Sequence, residues 1–456
     1  MAPLACLLHE DGHVVTGVDA HLYPPMSTLL EEAQVPVRLG FDPAAVPHDV
    51  DRVVIGNAVP RTNPEVKEVI RRGQAFLAQA ETVAHYVLAP GRRAAVVAGT
   101  HGKTTTSALL SWILEAANTD PTCLVGGLLK WSRRAHRLGR GPWAVLEGDE
   151  YNTAFFDRGP KFLHYRPELF ILGPVEFDHA DLYRDLDAVV TAFRAGAAQV
   201  PGHGAVVVNG WCDTARAVAA TAPAPVVIAG PSGGDEVCLH RAHPQSDGMV
   251  LSLEIAGHPT TLLLPLSGVH NAHNACLAAA AAWRTGVSRE DIASALETFP
   301  GVARRLDVIG EAGGVVVVDD FAHHPTALAV TVTAARERWR GRRLVVAYEP
   351  RSISASRRGF QDAYVQALAG ADLVLLARPF HADRAAAEDL LDREEMAVSL
   401  DHLGVLCLTP DIGADPAESL IGHLVPGDVV LGCSSGDFQN FHVRLLELLG
   451  GPCADA

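Results

Sequence analysis

Lysine is scarce in this 456-residue chain, occurring only at positions 67, 103, 130 and 161. Lys103 stands in the run Ala95-Val96-Val97-Ala98-Gly99-Thr100-His101-Gly102-Lys103-Thr104-Thr105-Thr106, ahead of a helical pattern over 107–117. A buried strand, a glycine-containing turn and a helix start present free backbone N–H groups and the positive end of the helix dipole, an arrangement that holds phosphate. In such a loop the lysine ammonium reaches the β- and γ-phosphates, and the next hydroxyl, here Thr104, ligates Mg²⁺. The strict Walker A pattern has glycine where this chain has Val97. A turn with a chance Gly-Lys-Thr is the plainer reading; the strand before, the helix after and the rarity of lysine weigh against it.

Two further strand ends carry candidate ligands. The apolar run 143–146 ends in Glu147-Gly148-Asp149-Glu150, and the run 170–172 leads to Glu176-Phe177-Asp178-His179. An acid at the tip of a buried strand beside a phosphate loop is where a metal ligand belongs. A solvated acidic turn is the alternative for 147–150. His179, just past a strand end of the same sheet, is a second ligand candidate.

The elements that must position these groups read as α/β. Short β-branched runs at 14–16, 52–55, 95–98, 170–172, 206–208, 315–318, 344–346 and 373–376 alternate with helical patterns, which predicts parallel sheets. Their continuous apolar character suits strands covered on both faces. The Pro/Gly/Ala-rich stretch 221–234 reads as a surface loop. Turn signals at Pro90-Gly91 and Phe299-Pro300-Gly301 set three domains, 1–90, 91–300 and 301–456. A mononucleotide-binding half opens with a strand and a Gly-rich turn. Here the chain opens inside the first helix, at 3–10, and passes to a strand at 14–18. The first domain is therefore expected to lack its opening strand, which would leave two neighbouring strands with unpaired edges; a mis-set start or a truncation is the expected cause, and a reduced sheet is the alternative.

Composition bounds the rest. The formal charge is −16, from 37 Lys+Arg against 53 Asp+Glu. That balance argues against a nucleic-acid partner and requires any anion site to concentrate positive charge locally. No apolar run approaches the roughly 18–20 residues that span a bilayer. Eight scattered cysteines without a C-x-x-C fit a cytoplasmic chain with reduced thiols better than a disulfide or zinc framework.

Taken together, Gly99-Thr-His-Gly-Lys-Thr-Thr105, Glu147, the Glu-x-Asp-His ending at His179, and Gly268-Val-His-Asn271-Ala-His-Asn274 resemble the Mur ligases. So do Arg304-Arg305-Leu-Asp307 and Asp319-Asp320-Phe-Ala-His-His324-Pro. These are three-domain, ATP-dependent, amide-bond-forming enzymes of peptidoglycan metabolism. Within the family the chain is most similar to members that join UDP-N-acetylmuramate to L-alanyl-γ-D-glutamyl-meso-diaminopimelate in recycling. That similarity rests on Tyr23-Pro-Pro-Met-Ser-Thr28, Gly56-Asn-Ala58, the segment 147–157, Lys161-Phe-Leu-His-Tyr-Arg-Pro167 and Glu349-Pro-Arg-Ser352. Departures are Gly148 and Asn152 in place of the family's Ala and Asp, Ile353 after Glu-Pro-Arg-Ser-type motifs, and Cys433-Ser-Ser-Gly-Asp437-Phe near the end.

The resemblance implies an α/β fold of three domains, a central P-loop-type ATPase sheet flanked by two Rossmann-like domains. The first would bind the UDP-sugar, the second ATP and the third the peptide. It implies ATP and Mg²⁺ as cofactors, UDP-N-acetylmuramate and a muropeptide as partners, and neither nucleic acid nor membrane. Lys103, Glu147, His179 and Arg305 would be catalytic, with Thr104, Glu147 and His179 on the metal. ATP would meet Gly99, Thr100, His101, Gly102, Lys103, Thr104, Thr105, Asn271, Asn274, Arg305 and Asp320. The substrates would meet Tyr23, Ser27, Asn57, Asp149, Glu150, Tyr151, His164 and Arg166. Arg351, just beyond a strand of the third domain, suits bidentate recognition of a peptide carboxylate. His323 and His324 either cap a helix or line the site. Some relatives bridge their metals with a carbamylated lysine; the corresponding position is Arg194, whose guanidinium stays protonated, so no such bridge is expected. L-alanine as the acceptor, and a non-catalytic nucleotide-sugar sensor, stay open as alternatives.

Overall fold

The computed structural model describes residues 1–88, 91–177, 182–232, 235–352, 355–380 and 389–451. The chain divides into two compact units, one of Met1–Arg241, Ser252–Leu262 and His273–Gly301, the other of Ala242–Leu251, Leu263–Ala272 and Val302–Ala456.

The first unit is built on a large, mostly parallel sheet. Its centre is the strand Arg93–Ala98, flanked in parallel by Leu169–Leu172 on one side and Trp143–Gly148 on the other. Ala205–Asn209 and then Val226–Gly230 follow on the first side, Thr122–Leu129 on the second, all parallel. Arg134–Arg137 closes that edge antiparallel. Val237 and Cys238 continue the opposite edge in parallel beside Ala229 and Gly230. Ala94 to Ala98, Phe170, Ile171 and Val206 are essentially inaccessible, as continuous apolar strands under helices on both faces must be. The chain leaves Arg93–Ala98 toward one side of the sheet and later returns on the other. The order therefore reverses at that strand, and ligands bind in the crevice such a reversal opens at the carboxyl ends.

Residues 1–88 hold two separate two-stranded parallel sheets, Gly17–Asp19 with Val37–Leu39 and Val53–Ile55 with Phe76–Ala78. No strand among the described residues joins them. The expected strand at 14–18 is corrected to Gly17–Asp19. Val14 is 98% exposed, because residues 13–16 cross from the end of the helix Ala2–Glu10 to the first pairing partner, Val37. The expected loop at 221–234 is also corrected. Val226–Gly230 is a strand with Val227 and Ala229 buried, its Val-Val-Ile core outweighing the flanking proline and glycine.

The second unit carries a six-stranded sheet in the order Asp307–Ala312, Val315–Asp320, Val429–Cys433, Leu344–Tyr348, Leu373–Leu376, Leu406–Leu408. Only the first pair is antiparallel. Separate apolar clusters, one around Leu328, Tyr348 and Tyr364 and one around Phe438, Phe441 and Leu445, cover its two faces. Among the described residues no helix is long and apolar enough to cross a membrane, and the seven described cysteines are free thiols.

A candidate nucleotide site at the carboxyl edge of the central sheet

Ala98 ends the central strand, and after four intervening residues the helix Lys103–Ala116 begins. Two glycines make the turn between them. Gly99 has φ +128°, and a Cβ there would lie 3.0 Å from Gly173 Cα; Gly102 has φ +80°, and a Cβ would lie 2.5 Å from Asn274 Oδ1. Gly102→Ala is thus strained twice, by a left-handed backbone and by collision with Asn274. It is expected to cost about 1–3 kcal/mol of stability and to weaken nucleotide binding, read by thermal unfolding and by calorimetric titration with Mg·ADP.

Lys103, the first residue of the helix, turns its ammonium back over the loop. Nζ donates to Gly99 O at 2.9 Å and to Glu150 Oε2 at 2.7 Å. Burial alone would depress this amine, but Glu150, Asp149 and Glu147 more than offset it, and Lys103 is held above its ordinary value. It is a fixed cation. Thr104 Oγ1 donates to Glu147 Oε2 at 3.3 Å, while Glu147 Oε1 accepts the Gly126 N–H at 2.5 Å. Register explains the meeting: Glu147 pairs with Val97, so its side chain emerges one residue before the end of the central strand. A hydroxyl and a carboxylate oxygen fit the oxygen preference of Mg²⁺. His179 lies outside the described residues.

The neighbouring carboxylates are organised too. Asp149 accepts from Lys161 Nζ at 3.0 Å and from the Tyr151 hydroxyl at 2.7 Å. Burial works against its ionisation, yet Lys161, Lys103 and these hydrogen bonds hold it below the ordinary carboxylate range. Tyr183 donates its hydroxyl to Glu150 O. Thr100 exchanges hydrogen bonds with the backbone of Glu176, His101 Nε2 lies 3.5 Å from Glu176 Oε2, and Thr105 is buried in the helix.

The structure therefore gathers Lys103, Thr104, Glu147, Asp149, Glu150 and Tyr151 at one sheet edge. Tyr23 and Asn57 follow the short parallel strands of residues 1–88, and Ser27 lies in the first turn of the helix Met26–Glu32. His164 pairs with Asp157 at 2.7 Å, and Arg166 is exposed with φ +45°. Asn271 Nδ2 donates to Ser267 O one helical turn back.

In the second unit Asp320 is buried and accepts the N–H groups of Leu306 and Ala322 at 2.7 and 2.8 Å, while the Arg305 guanidinium lies 5.2 Å from the Phe321 ring centre. Arg351 is already engaged: it pairs with Asp437, reaches Glu349 Oε2 at 3.5 Å and lies 4.0 Å over the Phe380 ring. A cavity of about 180 Å³ opens beside it at the carboxyl ends of the strands, lined in part by Glu349, Arg378, Phe380 and Asp411. His324 is the N-cap residue of the helix Pro325–Arg338, and His323 Nδ1 lies 3.1 Å from Phe321 O.

Sequence reasoning missed Lys161 and a stacked pair, Trp211 and His273, whose ring centres are 3.8 Å apart at 8°. Lys161 heads the segment 161–167 and His273 lies within 268–274, but neither segment gave these residues a role, and nothing in the sequence marked Trp211. Burial pushes His273 from its ordinary 6.5 down to about 4. On acidification the unfolded chain takes up this proton first, so the contribution, present above pH 6.5, is lost as pH falls toward 4. The unfolding free energy is expected to drop by at most about 3 kcal/mol across that window from this group. His273→Phe, which keeps a ring on Trp211, removes that part of the drop in circular-dichroism melts.

Three family profiles match in chain order: Mur ligase family, catalytic domain, over residues 1–89; Mur ligase middle domain, over 97–282; and Mur ligase, glutamate ligase domain, over 304–436. The UDP-N-acetylmuramate–L-alanyl-γ-D-glutamyl-meso-2,6-diaminoheptandioate ligase of Escherichia coli is 35% identical, covering 98% of this chain and 95% of that protein. The UDP-N-acetylmuramate–L-alanine ligase of Rubrobacter xylanophilus is 36% identical over 98% and 97%. Among solved structures, a murein peptide ligase from Psychrobacter arcticus superposes with a TM-score of 0.75 at 31% identity, covering 99% of this chain and 96% of that one. With that fold, these sequence matches and this strand-to-helix loop, the chain belongs to the Mur ligase family.

Proposed function

We propose that the chain is an ATP-dependent ligase joining UDP-N-acetylmuramate to L-alanyl-γ-D-glutamyl-meso-diaminopimelate, in the cytoplasm and in peptidoglycan recycling. One observation carries the catalytic part: a buried ammonium, Lys103, stands beside the Thr104–Glu147 oxygen pair at the switch point of a parallel sheet. The substrate assignment is supported by the Escherichia coli and Psychrobacter arcticus relatives and by the segments 147–157 and 161–167.

The chemistry must bring anions together. The lactyl carboxylate attacks the γ-phosphorus, the bond to the β–γ bridging oxygen breaks, and ADP leaves. The peptide amine then attacks the acyl phosphate carbonyl, loses a proton, and phosphate departs with one carboxylate oxygen. Positioning and electrostatics supply the rate. Lys103 remains protonated and would trade its Glu150 partner for phosphoryl oxygens, joined by backbone N–H groups of residues 101–105; the Thr100 N–H is taken by Pro174 O. Thr104 and Glu147, with His179, would hold Mg²⁺, which neutralises charge on the phosphates. We assign Asn271 and Asn274 to the adenine side, Arg305 and Asp320 to the phosphate side, and Tyr23, Ser27 and Asn57 to the UDP-sugar. Asp149, Glu150, Tyr151, His164 and Arg166 we assign to the muramyl and peptide channel. Arg351 would take a peptide carboxylate by exchanging it for Asp437. The working division is 1–90, 91–300 and 301–456.

A second reading, L-alanine as acceptor, is favoured by the Rubrobacter xylanophilus relative. Phosphate release with ATP, Mg²⁺ and UDP-N-acetylmuramate, measured with each amine separately, decides. Release with the tripeptide and not with L-alanine is expected; release with L-alanine alone overturns the choice. No release with either, alongside tight nucleotide-sugar binding, points to a sensor.

A further inference from the structure

Lys161 is the most buried of the four lysines, its side chain 7% exposed. A buried ammonium is costly unless paired and hydrogen-bonded. Here Nζ lies 3.0 Å from Asp149 Oδ2, 3.3 Å from the Tyr151 hydroxyl and 4.6 Å from the Tyr151 ring centre. The main chain reinforces the contact, since Lys161 N donates to Asp149 O at 3.0 Å. The turn that carries it also packs on the strand end: a Cβ at Gly148 would lie 3.0 Å from Phe162 Cβ.

Regular strand ends at Gly148. Beyond it the chain must still deliver Glu150 to Lys103, and Glu147 just before it must stay on Thr104. Side-chain locks do that work, and Asp149, between the two acids, is clamped by Lys161 at both its carboxylate and its carbonyl.

We propose that Lys161 is a positioning residue for the nucleotide and metal site, acting through Asp149 and Tyr151 to hold the segment 147–151 in register with the phosphate loop. Its ammonium meets Asp149 and Tyr151, and its role is to position rather than to ligate. The proposal rests on the reading of residues 99–105 as the nucleotide site.

The test uses the full chain and two readouts: calorimetric binding of Mg·ADP without turnover, and steady-state kinetics. Lys161→Met is expected to weaken Mg·ADP binding and lower kcat by about 10- to 100-fold, the usual effect of losing an outer support of a metal site. Lys161→Arg restores most of the binding. Because Lys161→Met strands the buried Asp149 carboxylate, Lys161→Met with Asp149→Asn is made in parallel. That double variant is expected to melt like the parent and to show the same loss as Asp149→Asn alone. Parental Mg·ADP affinity in either folded Lys161→Met variant overturns the proposal, as does an equal rise in every KM. Failure of the unaltered chain to bind Mg·ADP overturns the nucleotide-site reading itself.

Discussion

Lys103→Met is expected to lower kcat by about 10³-fold or more, because one preorganised cation on a transferring phosphoryl group carries that much of the barrier. The same change has a structural cost that must be separated from the catalytic one. Glu150 is 3% exposed and hydrogen-bonded to that ammonium. Removing one member of a buried pair costs about 3–5 kcal/mol, since the other charge is left uncompensated. Lys103→Met with Glu150→Gln removes both charges. The double variant should recover most of the lost stability in a denaturant titration and none of the activity. Recovery of activity alongside stability would mean that Lys103 is a structural ion pair.

Glu147→Gln is the second large effect. The glutamine oxygen can still accept the Gly126 N–H, so the local fold is expected to survive. What goes is the negative charge beside Thr104. An amide is a poorer Mg²⁺ ligand than a carboxylate, so kcat should fall by about 10²- to 10³-fold and the Mg²⁺ concentration for half-maximal rate should rise. Rate measured against Mg²⁺ reads both. Unchanged Mg²⁺ dependence would exclude Glu147 from the metal site.

Short-range chemistry explains why the strand, two-glycine turn and helix at 93–116 were legible in the sequence. Gly99, Gly102, Lys103 and Thr104 sit within six residues, and both glycines adopt conformations that favour glycine. Glu147 was legible because a strand end beside that loop leaves few other places for an acid. The parallel strands showed as apolar runs because burial on both faces leaves no alternation. Long-range pairing was not legible. Lys161 reads Asp149 12 positions away through hairpin and turn, and Trp211, in the turn after Ala205–Asn209, meets His273 on a helix 62 positions further on. Arg351 looked like an open carboxylate receptor; its pairing with Asp437, 86 positions away, appears only in the folded chain. The strand Val226–Gly230 was hidden by flanking proline and glycine, whose local preference yields to a vacant place beside Ala205–Asn209.

The central claim is that the sugar carboxylate is activated by direct attack on the γ-phosphate held at residues 99–105. Oxygen transfer tests it. With UDP-N-acetylmuramate labelled by ¹⁸O in the lactyl carboxylate, and with ATP, Mg²⁺ and the tripeptide, each phosphate released should carry one labelled oxygen, read by mass spectrometry. Amide product accompanied by unlabelled phosphate would contradict the account.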